Sequence, residues 1–349
     1  MSRLQEFQEL FRQLKMAWEN NEQTVLVILA DVKGSAYRLP GTKMLMTSSG
    51  HMVGTISGGC LENDLFEWAK KVFENNKPMN IRYDLSETEI WSLGIGCKGS
   101  LEFLFIPINP EMSIWQKIDA FLTKEIPFTL IIEMEQGTIA VLEDQCNVIL
   151  GEQNIPKTVI NESQFAFDRQ TRAEILFYEN SRYFIDVIKP SEKLIIAGAG
   201  RDAMPVVDLA YKAGFSVTVI DTRSHFNNEQ NFPHAKHITL DSENLQGNEL
   251  QNCWWIIMNH HQEKDEASLK YAIENQPRYI GVLGPIYRTN EMLENIGYTL
   301  KDGPIHSPVG LDIGAETIDE VAISIVSEIM SLRNGRVPQH LHGKGKIHV

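Results

Sequence analysis

The stretch that most constrains this chain is a short apolar strand that runs into a glycine turn and then a helix. Leu194, Ile195, Ile196 and Ala197 precede Gly198-Ala199-Gly200-Arg201-Asp202-Ala203, and the helical pattern continues through Leu209. In such a turn the first glycine permits the tight bend and the second lets a phosphate approach the backbone. The small third residue lets helix and strand pack closely. Free amides at the helix start then face the phosphate. Apolar runs recur at 217–220, 254–258 and 279–283, with helical stretches between them. This alternation implies a parallel sheet covered by helices, a Rossmann-like, doubly wound α/β fold.

Asp221 ends the next strand about twenty residues on, where an acid binds a ribose hydroxyl in dinucleotide folds. Gly198, Gly200, Arg201, Asp221 and His260 are therefore candidate nucleotide-binding residues, with NAD(P) as the candidate cofactor. Asp202 works against that reading, because a carboxylate in the first helical turn repels phosphate while favouring the helix dipole; Arg201 could offset it. His260 and His261 follow the strand ending at Met258, where strand ends line the crevice. Proton transfer, metal ligation and a plain solvated loop all remain open for them.

The first half reads differently. Leu4, Phe7, Phe11, Leu14 and Trp18 recur at helical steps, and 24–32 is a buried strand. Residues 43–47 and 52–56 pattern as a hairpin about Ser49-Gly50. Further strands are expected at 81–85 and 101–108, with more sheet over 128–148. Residues 151–182, rich in Asn, Gln and Glu, are the least patterned. A length of 349 residues exceeds one usual core. The boundary is expected near Pro190, giving a smaller N-terminal mixed α/β domain (1–189) and a C-terminal Rossmann-like domain (190–349).

Two turns in the first half surround a cysteine with glycine: Ser57-Gly58-Gly59-Cys60-Leu61-Glu62 and Leu93-Gly94-Ile95-Gly96-Cys97-Lys98-Gly99. Leu61, Leu65, Ala69, Val72 and Phe73 have helical spacing, so Cys60 stands near a helix N-terminus, where amides and dipole favour the thiolate. A thiolate there could be a nucleophile, a sulfur carrier or a ligand to a soft metal. Glu62 could bond a ligand or simply favour the helix start. The glycines around Cys97 suggest close approach to a ligand or a tight bend, and Lys98 could meet a phosphate. Small buried residues beside turns are the plainer reading of both cysteines.

The net charge of −14 disfavours nucleic acid and anionic membrane surfaces. Four cysteines without a Cys-x-x-Cys pair fit a reducing compartment rather than a disulfide or zinc framework. The charged, amphipathic N-terminus lacks a signal-peptide core, and no run approaches the ~20 apolar residues that span a bilayer. A soluble, cytoplasmic protein is expected.

Over nearly its whole length the chain resembles the XdhC/CoxI family, accessory proteins of xanthine dehydrogenase and related molybdenum hydroxylases. The resemblance lies in residues 34–41 (GSAYRLPG), 54–62 (GTISGGCLE) and 94–99 (GIGCKG). It continues through Gly198-Ala199-Gly200, Asp221-Thr222-Arg223, Asn259-His260, 281–284 and 308–315. It departs after Gly284, where Pro285, Ile286 and Tyr287 replace a serine and basic residues, leaving only Arg288; Arg201 stands where a histidine is frequent. The resemblance implies binding of the molybdenum cofactor, molybdopterin, held for sulfido maturation by a cysteine desulfurase and delivered to an apo-xanthine dehydrogenase or related hydroxylase. Under it, Gly58, Gly59, Cys60, Glu62, Gly96 and Cys97 become the cofactor site, with Cys60 as molybdenum contact. Scaffolds of this kind often dimerise, so a homodimer is also expected. The competing class is an NAD(P)-dependent oxidoreductase using the C-terminal crevice, with His260 or His261 as proton donor. A redox-sensing thiol protein is a third.

Overall fold

The computed structural model of the chain describes residues 2–34, 36–59, 61–84, 99–143, 149–151, 155–168, 172–245 and 250–343. The chain divides into two compact units, one formed by residues 3–190 and the other by 191–340.

The N-terminal unit runs α1 (Arg3–Glu19), β1 (Thr24–Gly34), β2 (Lys43–Thr47), β3 (Met52–Val53), α2 (Glu62–Asn75), β4 (Met79–Asp84) and β5 (Gly99–Ile108). It continues with α3 (Ser113–Lys124), β6 (Phe128–Glu133), β7 (Ile139–Glu143), β8 (Ile149–Gly151), α4 (Lys157–Asp168), β9 (Ala173–Tyr178) and β10 (Ser181–Ile188). Among the described residues these strands make two five-stranded sheets, ordered β3-β2-β1-β5-β4 and β8-β7-β6-β10-β9. Every pairing in them is antiparallel. This unit, expected to be the smaller, takes the longer stretch of chain because it holds two sheets.

β1 reads as one apolar run because both faces of its sheet are covered. Leu26, Ile28 and Ala30 point into a core shared with α1, α3 and the second sheet, while Val25, Val27 and Leu29 face α2. Burial of the Val, Leu and Ile side chains among these is worth ~1.5–3 kcal/mol each. Buried Asp186 on β10 ion-pairs with both Lys43 of β2 and Arg3 of α1, and Lys43 also donates to the Gly41 carbonyl at 3.1 Å. Burial draws the Lys43 ammonium below its usual pKa against the pull of Asp186.

The C-terminal unit runs β11 (Lys193–Ala197), α5 (Ala203–Lys212), β12 (Ser216–Ile220), β13 (Ala235–Ile238) and β14 (Trp254–Ile257). Then come α6 (Gln262–Glu274), β15 (Tyr279–Val282), α7 (Ile286–Asn295), β16 (Ile305–His306) and α8 (Ile318–Arg333). The described strands form one sheet, β13-β12-β11-β14-β15-β16, parallel throughout. Helices α5 and α8 cover one face, and α6 and α7 the other. This is the doubly wound Rossmann arrangement expected from the sequence. The strand order reverses between β11 and β14, so the glycine turn after β11 lies at the switch point where such folds bind ligands.

Candidate functional site

Several of the glycine segments leave the first sheet of the N-terminal unit at one end. Gly34, the last residue of β1, pairs with Gly99, the first of β5, and β4 ends with Asp84 opposite Ser100. The loop after β1 returns at Leu29, five residues before Gly34, with Gly41 N–H donating to Leu29 O and Leu29 N–H to Thr42 O, both at 2.9 Å. Beyond β3, Gly54 lies against the start of β2; a Cβ on it would stand 2.8 Å from Lys43 O. The segment from Gly54 therefore starts beside Lys43, which pairs with Ile28, six residues along β1 from the Gly34–Gly99 pair where the β4–β5 connection leaves.

At Gly58 and Gly59 the backbone is exposed, and among the described residues a Cβ on either would meet nothing within 4 Å. Gly59 also holds φ +96°, a left-handed conformation that favours glycine. Glu62, in the first turn of α2, points back along this turn. Its Oε1 accepts the Ser57 N–H at 2.9 Å, and Oε2 accepts the Ser57 hydroxyl and the Leu61 N–H (3.2 Å). Leu61 N–H also donates to Ser57 Oγ at 2.9 Å. Partial burial pushes the Glu62 pKa up, but these donors outweigh it and hold the carboxyl below the usual range. Glu62 thus straps the two feet of the turn together. Tyr83 donates to Asp64, tying the first turn of α2 to β4. Gly99 has a different job from the open pair: a Cβ there would lie 1.9 Å from Lys33 O, so its bareness serves strand contact. Cys60, Gly96 and Cys97 lie outside the described residues, as do Gly94, Lys98 and Cys146.

In the C-terminal unit the turn after β11 is tightly filled. Gly198 (φ +117°) donates to Ile220 O at 2.9 Å, and a Cβ on it would lie 2.4 Å from Met258 O. Buried Asp221 turns into the loop: its carboxylate accepts Ala199 N–H at 2.9 Å, Arg223 N–H at 2.9 Å and the Arg223 guanidinium at 2.6 and 2.9 Å. Burial alone would raise its pKa, yet Arg223 and the Ala199 amide bring it down to about 2. The expected ribose acid is thus already partnered within the chain. Arg201 is exposed. Asp202 precedes α5 without capping it; instead its Oδ2 accepts from His260 Nε2 at 2.6 Å. His261 precedes α6, its carbonyl accepting from Asp265 N–H at 2.9 Å, and lines a cavity at the strand ends.

The sequence did not disclose the network behind His260. Buried Asp265 accepts the Asn259 backbone and side-chain amides at 2.9 and 3.0 Å and pairs with Arg288 at 2.5 Å. Arg288, the remaining basic residue after Gly284, is therefore bound to a carboxylate. A cavity of about 200 Å³ opens at the ends of β12, β13 and β14, lined by Asp221, Thr222, Asp241, Ser242, Asn259 and Lys264 among others. Lys264 Nζ donates to Thr222 Oγ1 at 3.0 Å and faces Asp241 at 3.5 Å. Cys253 is buried in the core, with its thiol pKa pushed up by that burial. Among the described residues no helix is long and apolar enough to cross a membrane.

These features define a two-unit protein: an antiparallel unit with an open glycine turn and a Rossmann unit with a closed one. Residues 17–84 match the XdhC and CoxI family, and residues 194–329 match the XdhC Rossmann domain. A probable xanthine dehydrogenase subunit of Bacillus subtilis (strain 168) is 32% identical, over 90% of this chain and 94% of its own. The molybdenum cofactor insertion chaperone PaoD of Escherichia coli (strain K12) is 22% identical over 88% of this chain and 83% of its own. A crystal structure of a xanthine dehydrogenase from Bacillus halodurans superposes with TM-score 0.77 at 30% identity, covering 97% of both chains. The chain belongs to the XdhC and CoxI family.

Proposed function

We propose that this protein is a molybdenum cofactor-handling accessory protein for a xanthine dehydrogenase-type hydroxylase. It holds the cofactor while a cysteine desulfurase installs the sulfido ligand, then passes it to the apo-enzyme. The observation that carries the reading is the open glycine turn: among the described residues nothing comes within 4 Å of where a side chain would stand at Gly58 or Gly59, whose exposed backbone leads in sequence to Cys60. Likeness to a molybdenum cofactor insertion chaperone over most of the chain supports it. The cofactor is cargo. Gly58 and Gly59 amides suit its pterin or phosphate, a thiolate at Cys60 or Cys97 suits its metal end, and Glu62 keeps the turn in shape. The cofactor itself would bring a metal whose oxo ligand can be exchanged for sulfide.

Anaerobic purification from a host that makes molybdopterin, with molybdenum and oxidised-pterin assays, tests this. Wild-type protein is expected to carry near-stoichiometric pterin, and Cys60→Ala and Cys97→Ala are expected to lose most of it. Pterin-free wild type, or equal retention by both variants, counts against the reading.

A further inference from the structure

The second glycine of a phosphate-binding turn ordinarily lacks a side chain so that a pyrophosphate can reach the backbone. In this turn that space already has an occupant. A Cβ on Gly200 would lie 2.3 Å from Asp202 Oδ1 and 3.9 Å from His260 Cδ2, so the Asp202 carboxylate sits directly against the glycine. It is held there from the far side of the switch point. His260 Nε2 bonds Asp202 Oδ2 at 2.6 Å from a residue in the left-handed conformation (φ +57°), which non-glycine residues adopt only when their surroundings hold them in it. The surroundings are visible: Asn259, the preceding residue, is fixed by two hydrogen bonds to buried Asp265, itself paired with Arg288. A second anion helper is also engaged, because the Ala199 amide donates to Asp221.

We propose that Asp202 is a resident anion seated in the phosphate position, positioned by His260, and that this glycine turn therefore rejects nucleoside diphosphates and dinucleotides. A phosphate entering there meets a like charge at contact distance, in a crevice where Arg223 and Arg288 are already paired with carboxylates and Arg201 of the turn is exposed to solvent. The fingerprint is thus retained for packing and for this clasp. The inference does not depend on the cofactor reading, since cofactor-free protein answers it equally well.

The test is calorimetric titration of the full chain with ADP and, separately, with NAD⁺. Wild-type protein is expected to give no saturable binding up to about 1 mM. Asp202→Ser, which removes charge and bulk, and Asp202→Asn, which removes the charge, are each expected to strengthen ADP binding by at least about tenfold. Should the serine variant fail to fold, judged by gel filtration and circular dichroism, the near-isosteric asparagine variant decides. Saturable wild-type binding of ADP or NAD⁺ with a Kd below about 1 mM overturns the proposal, as does a folded Asp202→Asn protein that binds no better than wild type.

Discussion

At Gly58 and Gly59 the space above the backbone is open, whereas at Gly198 and Gly200 it is filled by Met258, Asp202 and His260. The residue type is the same and the sequence contexts look alike, each a strand running through a glycine turn into a helix. What a glycine fixes is the place where a side chain is forbidden; the neighbours decide whether a ligand or the protein itself uses that place. Here the better-known nucleotide fingerprint is the one closed by its own chain, and the less familiar turn beside a cysteine is the accessible one.

The largest effect that sharpens this contrast is expected from Gly198→Ala. It combines a left-handed φ with a Cβ driven against the Met258 carbonyl, and should destabilise the protein by about 3 kcal/mol or more. Urea unfolding measures it; a loss under about 0.5 kcal/mol would mean that the turn is not packed as described. An intermediate effect is expected in acid. The folded-state pKa of Asp221 is depressed, so its contribution is fully present above its unfolded value near 4 and is lost as pH falls from there through about 2. That contribution is about 2 kcal/mol, read as the extra pH dependence of the wild-type urea midpoint over Asp221→Asn below pH 4. The opposite sign, stability gained on acidification relative to the variant, would break the closed-turn picture. The smallest change in stability belongs to Gly58→Ala, within about 0.5 kcal/mol, because no left-handed φ and no described neighbour opposes a methyl there. The same variant should nevertheless lower pterin content in the purification assay if that face is the one a ligand uses. Unchanged pterin would move the contact away from it.

The sequence reveals the Rossmann unit well because each central strand is a short apolar run and each is followed by a helical pattern. It does not reveal β13 or β16, the sheet edges, which are half-buried or only two residues long. In the N-terminal unit the hairpin, α2 and β5 are plain in the pattern. The stretch 151–182 is the least patterned in sequence, yet it holds α4, β9 and the start of β10. Two features conceal these elements. The buried side of α4 includes Val159, Ser163 and Ala166, with the Ser163 hydroxyl satisfied by Val159 O at 2.8 Å, so the usual apolar stripe is thin. In β10 a charged Asp186 interrupts the apolar run, and its partners, Arg3 and Lys43, are more than 140 residues away in sequence. The candidate site divides the same way. Gly58, Gly59 and Glu62 were identifiable as a turn, but the role of Glu62 as a strap depends on Ser57 and Leu61 closing onto one carboxylate. Asp202 was recognisable as hostile to phosphate; its partnership with His260, 58 residues on, required the fold.

The long ladder between β1 and β5 has an implication for how such a protein can change. Pairing runs from Thr24–Ile108 to Gly34–Gly99, with one irregularity after Leu29, and anchors the strand ends from which the neighbouring loops leave. Lengthening a loop whose ends are already clamped adds entropy cost only logarithmically, about 0.6 kcal/mol per doubling. The fold should therefore tolerate longer loops at that rim while the interior stays untouched, whatever they do to the residues assigned to the cofactor. A collection of loop variants built there would explore new recognition chemistry on an unchanged scaffold.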